Sequence, residues 1–125
     1  MTGMELFDQA MEMLGYANAE EISGKSDLIK KGLTLLNRVY AELHYAFVSK
    51  PGEEDTFRPL ANISQEICLP DYVLQDVAPY GLAMYLAQSE SDADNQSLYA
   101  TIYNQKKTRG KSVGRVADRL PHIWG

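Results

Sequence analysis

The chain has 125 residues, 45% of them hydrophobic, with a single cysteine; these values indicate one globular domain and exclude both a disordered chain and an internal disulfide framework. No apolar run approaches the roughly 20 residues that span a bilayer, so we expect no membrane association. Residues 1–105 carry 16 acidic and 6 basic side chains, a net of −10, whereas residues 106–125 carry a net of +5, which argues against a domain that binds nucleic acid over its whole surface.

The first helical pattern covers residues 4–16. Thr2 is the expected N-cap, and Gly15 with the polar stretch NAEEISGKSD ends the helix. This start is acidic and amphipathic, which is not typical of a secretory signal, and the lone cysteine suits a reducing cytoplasm. The predicted buried face consists of Leu6, Phe7, Ala10, Met11 and Leu14.

The second and longest clear helix is predicted over residues 27–47. Ser26 or Asp27 is the expected cap, and the sequence SKPGEED stops the helix. About 21 residues at 1.5 Å each give a rod of roughly 30 Å. Its apolar stripe consists of Leu28, Ile29, Gly32, Leu33, Leu36, Val39, Tyr40, Leu43 and Phe47.

Residues 51–68 form a long connection. Thr56, Phe57, Ile63 and Ile67 are compatible with a short extended piece, although Pro59 argues against a central strand. Cys68 stands between Ile67 and Leu69, so we expect a small buried apolar residue there and not a nucleophile. A connection of this length usually has a function or is mobile.

The third helix is predicted over residues 71–88 with Asp71 as its cap. Its apolar stripe keeps its phase through Pro79, which favours one helix with a kink at Pro79, where Gly81 lets a neighbouring backbone or ring come close. The alternative is a helix that ends near Ala78 and a second one with Pro79 in its first turn. The stripe consists of Leu74, Val77, Ala78, Gly81, Leu82, Tyr85 and Leu86.

The last clear helix starts at a cap, Asp92 or Asp94, and is predicted to end near Lys107. Its inward side chains are Leu98, Tyr99, Ile102 and Tyr103. We therefore predict an all-α fold, a small antiparallel bundle of about four helices in residues 1–107, followed by an extended C-terminal docking tail in residues 108–125 that contains Gly110, Gly114 and Pro121.

The tail mixes charged and apolar side chains. This pattern fits a solvated segment and a docking arm for an acidic surface about equally well. The tryptophan favours the docking arm, because a tail that only solvates the protein does not need one. The candidate docking residues are Lys106, Lys107, Arg109, Lys111, Arg115, Arg119, Ile123 and Trp124.

The sequence contains no arrangement typical of catalysis or cofactor binding, so we expect no enzyme, no cofactor and no metal. His44 and His122 are far apart, and each is interpreted as a satisfied or exposed histidine. The DADNQS stretch resembles the start of a calcium loop, but it lacks the glycine at the sixth place and has Tyr103 where a bidentate glutamate belongs.

Eight tyrosines suit subunit interfaces, because tyrosine combines a large contact area with a polar end. Tyr40, Tyr85 and Tyr103 lie on inward stripes and are expected at the rim of the core. Tyr72, Tyr80 and Tyr99 are the better interface candidates.

The stretch ISQEICLPDYVLQDVAPYGLAMYLAQSESDADNQSLYATIYNQK, about a third of the chain, resembles the head–tail connector or portal-adaptor proteins of long-tailed DNA bacteriophages. Those proteins share the order of an isoleucine, a Leu-Pro pair, a Pro-Tyr-Gly motif, an acidic turn and two aromatics. Ser97 departs from the pattern at a place where alanine is expected. The matching residues are Ile67, Leu69, Pro70, Pro79, Tyr80, Gly81, Leu82, Ala83, Leu86, Ala87, Asp92, Tyr99 and Tyr103.

The resemblance implies a virion protein without a catalytic step, assembled in the host cytoplasm. Such proteins form a homo-oligomeric ring, usually of twelve copies, beneath the portal protein in the virion neck, and they present a surface to the downstream neck or tail-completion protein. DNA would pass through the ring without specific binding, which an acidic body favours. The kinked third helix would shape the wedge of each copy, and Trp124 would anchor the docking arm.

Two alternatives stay open. A helix-turn-helix DNA-binding regulator would need a short basic recognition helix after a tight turn, but the basic residues here lie in the tail. A non-enzymatic helical interaction module, such as a dimeric chaperone or regulator, would have the same acidic helices.

Overall fold

The computed structural model describes residues 1–16, 25–49, 52 and 57–124; for residues 25–28 and 110–124 it describes the helical backbone alone. The predicted all-α fold is confirmed, with four helices in the predicted order if the adjoining third and fourth helical segments count as one. Among the described residues, the only β-type pairing is an isolated bridge between Thr2 and Glu66.

Helix α1 (Gly3–Leu14) has the predicted cap. The Thr2 hydroxyl accepts from the Glu5 N–H at 3.2 Å, and the Glu5 carboxylate accepts from the Thr2 N–H at 3.1 Å, which is a capping box. Gly15 ends the helix with φ +76°, a conformation that glycine adopts without strain. All five side chains of the predicted face are buried.

Helix α2 (Lys25–Leu43) begins before both predicted caps, so Ser26 and Asp27 lie inside the helix and the cap prediction is wrong. The helix continues into a π-turn, His44–Val48, which closes when the Ser49 N–H donates to the His44 carbonyl at 2.8 Å. A π-turn holds one more residue per turn than an α-turn, and it changes which side chains face the core at the end of α2.

The connection after α2 contributes to the core without forming a strand in residues 57–68. Leu60, Ile63 and Ile67 are buried. The Asn37 side chain brackets Leu60, donating to its carbonyl at 3.0 Å and accepting from its N–H at 2.8 Å. Thr56 lies outside the described residues.

Cys68 is exposed, so the prediction of a buried thiol is wrong. In an extended segment successive side chains point to opposite sides. Because Ile67 is buried and Leu69 is half-buried against the core, Cys68 between them faces outward. Its N–H donates to the Tyr40 hydroxyl at 3.1 Å, which fixes the segment on α2.

The predicted third helix is two helices, α3 (Asp71–Asp76) and α4 (Ala78–Ser89), separated by Val77. The prediction of a single kinked helix is wrong in this respect. Pro79 lies in the first turn of α4, where its missing N–H costs no hydrogen bond, as the alternative interpretation held. Pro70, not Asp71, is the N-cap of α3. Every side chain of the predicted stripe from Leu74 to Leu86, like Gly81 itself, is nevertheless buried.

Helix α4 is the centre of the bundle. It packs against α1, α2 and the last helix, and it is therefore buried nearly all round. The abundance of alanine and glycine on α4 permits this close approach of three neighbours. Its buried residues are Ala78, Pro79, Gly81, Leu82, Ala83, Tyr85, Leu86 and Ala87.

Helix α5 (Ala93–Trp124) follows Asp92, one of the two predicted caps, which accepts from the Asn95 N–H at 3.3 Å, whereas Asp94, the other, lies inside the helix. It runs well beyond the predicted end near Lys107, since an isolated glycine lowers helix stability by about 1 kcal/mol without ending a helix. Tyr103 is buried as predicted, but Leu98 is 53% exposed, so its inward assignment is wrong. Within the described residues, no helix has both the length and the apolar character of a bilayer span.

Candidate functional site

Three helices meet at one carboxylate in the bundle. Glu42 of α2 accepts hydrogen bonds from two tyrosine hydroxyls, that of Tyr85 on α4 at 2.5 Å and that of Tyr103 on α5 at 2.8 Å. We call Glu42, Tyr85 and Tyr103 the tyrosine–glutamate cluster. Because each carboxylate oxygen takes one donor, the cluster joins α2, α4 and α5 through charge-assisted bonds.

The environment of the cluster raises the pKa of both tyrosine hydroxyls. Burial and the hydrogen bond to Glu42 raise the pKa of Tyr85 to about 12. The same two causes raise the pKa of Tyr103 further, because Tyr103 is the more deeply buried residue. Arg38 lies 4.5 Å from the centre of the Tyr85 ring and Lys107 lies 4.7 Å from that of Tyr103. The cluster therefore acts as a structural junction, with every hydroxyl donating.

Gly81 of α4 lies directly against the ring of Tyr103 on α5. A Cβ built on Gly81 would lie 2.6 Å from a carbon of the Tyr103 ring, too near for any real side chain. The glycine predicted to admit a ring at this point does so. Pro79 was predicted to kink one long helix, but it lies in the first turn of the helix that carries Gly81.

Two of the three predicted interface tyrosines contact each other inside the domain. The rings of Tyr80 and Tyr99 lie 6.2 Å apart, and the Tyr99 hydroxyl donates to the Met13 carbonyl at 3.0 Å. Lys106 lies 5.1 Å from the centre of the Tyr80 ring and pairs with Asp76 at 2.8 Å. Both tyrosines remain partly accessible, so an interface role at their edges stays a prediction.

Tyr72, the third interface candidate, lies on the surface. It is 61% exposed, and its ring contacts that of half-buried Phe47 at 6.2 Å, edge to face. Val48, the next residue of the π-turn, is also exposed. We call Phe47, Val48 and Tyr72 the apolar patch. Exposed apolar side chains that gather at one place mark interaction surfaces more often than single ones do.

The structure describes the side chains of only three of the basic residues that were predicted for docking. Lys106 and Lys107 are half-buried against tyrosine rings, and Arg109 is exposed. Their role in docking stays a prediction. The remaining candidates lie outside the residues whose side chains are described: Lys111, Arg115, Arg119, Ile123 and Trp124.

A cleft of about 400 Å³ opens beside the apolar patch, and Tyr40, His44, Val48 and Cys68 contribute to its lining. His44 is buried, with ring centres 5.3 Å from Tyr45 and 5.2 Å from Phe57. This position agrees with the interpretation of a satisfied histidine. Among the side chains that the structure describes, no group of three or more His, Cys, Asp or Glu is placed to hold a metal ion; His122 lies outside them.

Sequence reasoning missed Glu42, which is not among the residues of the apolar stripe predicted for the second helix. The available signal was indirect: Tyr85 and Tyr103 were predicted to face inward, and a buried hydroxyl requires an acceptor. Glu42 adjoins Leu43 on α2, so it lies at the edge of the buried face. The sequence alone does not say which of many carboxylates would reach two tyrosines.

In comparisons with known proteins, no family model, no curated protein and no solved structure matches this chain.

Proposed function

We propose that this chain is a head–tail connector protein, an adaptor whose copies form a ring beneath the portal of a long-tailed bacteriophage. In this role it extends the DNA channel in the virion neck and presents a surface to the next neck or tail-completion protein. It binds its partners and catalyses no reaction.

One observation carries the proposal: residues that match the connector pattern far apart in the sequence belong to one packing unit. Gly81 of the Pro-Tyr-Gly motif receives the ring of Tyr103, and Tyr80 of the same motif contacts the ring of Tyr99. The two aromatics of the pattern are thus the partners of its Tyr-Gly pair. The contact between these matching residues supports a shared structural role for the motif and the two aromatics.

The charge division supports the same proposal. A net charge of −10 on residues 1–105 opposes binding of the phosphate backbone, which suits a channel through which duplex DNA passes. The net of +5 on residues 106–125 suits contact with an acidic protein surface, such as the portal or another copy of the chain.

The experiment is native mass measurement of the purified chain, alone and mixed with the portal ring encoded in the same genome. We expect several copies of the chain on each portal ring, irrespective of whether the chain is monomeric alone. A portal ring that stays free at micromolar chain would contradict the proposal. In the same series, a shift of duplex DNA at low salt would favour a DNA-binding regulator instead.

A further inference from the structure

The cleft beside the apolar patch is formed by the end of α2 and the connection that follows it. The π-turn contributes His44 and Val48, its two end residues, and the connection contributes residues between Arg58 and Cys68. π-Helical turns are rare and occur frequently at functional sites. The volume of about 400 Å³ lies in the lower part of the range for small-molecule sites. The chemistry of the lining therefore indicates the class of ligand that the cleft would bind.

Part of the lining is apolar and held in position. Val48, Pro59 and Leu60 provide it. Leu60 is buried, and the Asn37 side chain holds its backbone through both the N–H and the carbonyl. This surface suits an aliphatic group of a ligand, because such a group gains free energy when it leaves water.

The polar part of the lining offers hydrogen-bond donors. The Gln65 Oε1 accepts from the N–H groups of Ala61 at 2.5 Å and Asn62 at 3.1 Å, which orients the amide and leaves its NH₂ group as a donor. Arg58 is exposed, and no carboxylate among the described residues forms an ion pair with it. Since a guanidinium group donates and never accepts, the ligand has to supply acceptors.

The charge of the lining favours a ligand with one negative charge. Arg58 and Glu66 are its two ionised side chains of the Lys, Arg, Asp and Glu types, and the Met1 amino group offsets Glu66 at 2.9 Å. The balance is one positive charge, that of Arg58. A carboxylate matches the planar guanidinium with two parallel hydrogen bonds. A phosphate group would bring nearly two negative charges into a cleft that also contains Glu66.

We propose that this cleft binds a carboxylate carried on a short aliphatic stem. Arg58 and the Gln65 amide donate to the carboxylate oxygens, and Val48, Pro59 and Leu60 cover the stem. A free branched-chain acid and a peptide that ends in an aliphatic residue both present this chemistry. The inference is independent of the proposed connector role, because it assigns a ligand site to the bundle itself.

The test uses the single native cysteine as a probe of occupation, since exposed Cys68 lines the same cleft. N-Ethylmaleimide, an uncharged thiol reagent, is added to the full chain in the presence of isovalerate or N-acetylleucine, and the rate of Cys68 alkylation is measured. Ionic strength is held constant. Ligand concentrations reach tens of millimolar, because so small a molecule binds weakly. The uncharged amides isovaleramide and N-acetylleucinamide are the matched ligand controls, and the NMR shift of the Gln65 side-chain amide is the second readout.

We expect each acid, and neither amide, to slow alkylation and to shift the Gln65 signal in a saturable way. Arg58→Gln should weaken binding of the acids at least about tenfold, because it removes a donor to a charged group. Gln65→Glu keeps the oxygen that holds the N–H groups of residues 61 and 62 but replaces the donor with a negative charge, so it should also weaken protection of Cys68. Arg109→Gln, which alters an exposed arginine on α5, should leave binding unchanged.

The two acids distinguish the source of the carboxylate. Tighter binding of isovalerate would identify a free acid as the ligand and tighter binding of N-acetylleucine a peptide end, and both results support the inference. Equal responses to the acids and their amides would overturn it, as would undiminished binding of the acids by Arg58→Gln. Acids that change neither the alkylation rate nor the Gln65 signal would overturn it as well.

Discussion

At the scale of single residues, Glu42 decides how the bundle is joined. Its two carboxylate oxygens accept from Tyr85 and Tyr103, which come from different helices. Tyr103 is 1% exposed, so its hydroxyl has no access to water as a replacement acceptor. A hydrogen bond to a charged group contributes about 1.5–3 kcal/mol, roughly twice the value for a neutral pair.

Tyr103→Phe is therefore expected to lower the free energy of unfolding by about 1.5–3 kcal/mol, because it leaves one oxygen of Glu42 without its donor. Urea denaturation at pH 7 measures this difference. Tyr72→Phe, which removes a hydroxyl from a side chain that is 61% exposed, is the control and should change stability by less than about 0.5 kcal/mol. Equal effects of the two variants would contradict a role for the cluster in stability.

The same cluster predicts a loss of stability in alkali. Tyrosine ionises at a pKa of 10.0 when unperturbed, whereas burial and then the bond to Glu42 raise the pKa of Tyr85 to about 12 and also raise that of Tyr103. The folded chain thus retains protons that the unfolded chain loses, so stability is complete below about pH 10 and falls as the pH rises toward 12. Urea midpoints from pH 8 upward should show this decline.

The double variant Tyr85→Phe, Tyr103→Phe is the control for the alkaline effect. It should be less stable than the wild type at pH 8 and should lose stability less steeply above about pH 10, because two of the responsible groups are gone. Parallel curves for the wild type and the double variant would assign the alkaline loss to other groups.

At the scale of helices, α3 and α4 show how a proline is accommodated in a buried segment. Val77, with φ −117° and ψ −51°, separates the two helices, and the Gly81 N–H still donates to the Val77 carbonyl at 3.4 Å. Pro79 follows in the first turn of α4, where a helix leaves its N–H groups without intrahelical acceptors. The break lets α4 run in its own direction between α1, α2 and α5.

The sign of the effect of Pro79→Ala distinguishes this arrangement from a kinked helix. Because Pro79 is fully buried and costs no hydrogen bond in a first turn, its replacement should lower the free energy of unfolding by about 1–3 kcal/mol through lost packing and a more flexible unfolded chain. A proline in a helix interior costs about 3 kcal/mol, so replacement there would raise stability. Thermal unfolding of the variant measures whether its stability falls or rises. A melting temperature above that of the wild type would contradict the first-turn position.

Gly81→Ala tests the contact between α4 and α5. The added methyl group would meet the buried Tyr103 ring at 2.6–3.0 Å, and the expected overpacking cost of about 1–3 kcal/mol exceeds the gain of about 1 kcal/mol in helix propensity. We expect a lower urea midpoint. In a Tyr103→Leu background the smaller side chain leaves room, so the same substitution should cost less. A cost that is identical in both backgrounds would contradict the contact.

At the scale of the whole molecule, the chain divides into an acidic bundle and a basic helical end. The buried hydrophobic side chains of the described core run from Leu6 to Tyr103, whereas the side chains of residues 110–124 are not described. In the proposed assembly, the opposite charges of the two parts favour contact between copies. Salt should weaken such contacts, because exposed charges are screened.

A variant chain that ends after Arg109 tests the role of the basic helical end. It should fold with a free energy of unfolding within about 1 kcal/mol of the full chain and should no longer attach to the portal ring, since it lacks the proposed docking arm. Circular dichroism with thermal unfolding measures the first property and native mass the second. Unchanged attachment of the shortened chain would remove residues 110–125 from the interface.

Much of the fold was predictable because helical periodicity is a local property. The spacing of Leu6, Phe7, Ala10, Met11 and Leu14 requires a single buried face, and the structure buries all five. The cap Thr2 was predictable for the same reason, and Asp92 was one of the two caps predicted for the last helix, since each acts within three residues of itself. The caps predicted for the second and third helices were wrong. The inward assignment of Leu98 was wrong because helical periodicity gives the direction of the buried face. It does not give how wide a part of that face the neighbouring helices cover.

The sequence by itself determined an all-α chain with an unbroken apolar stripe in its third helical segment, an acidic body and a basic end, since composition and helical period act along the chain. Tertiary structure alone decided that Glu42 meets Tyr103, 61 residues away, that Val77 and not Pro79 separates the helices, and that Cys68 faces outward. The physical reason is that each of these depends on which surfaces meet when the helices pack, and no local pattern encodes that choice.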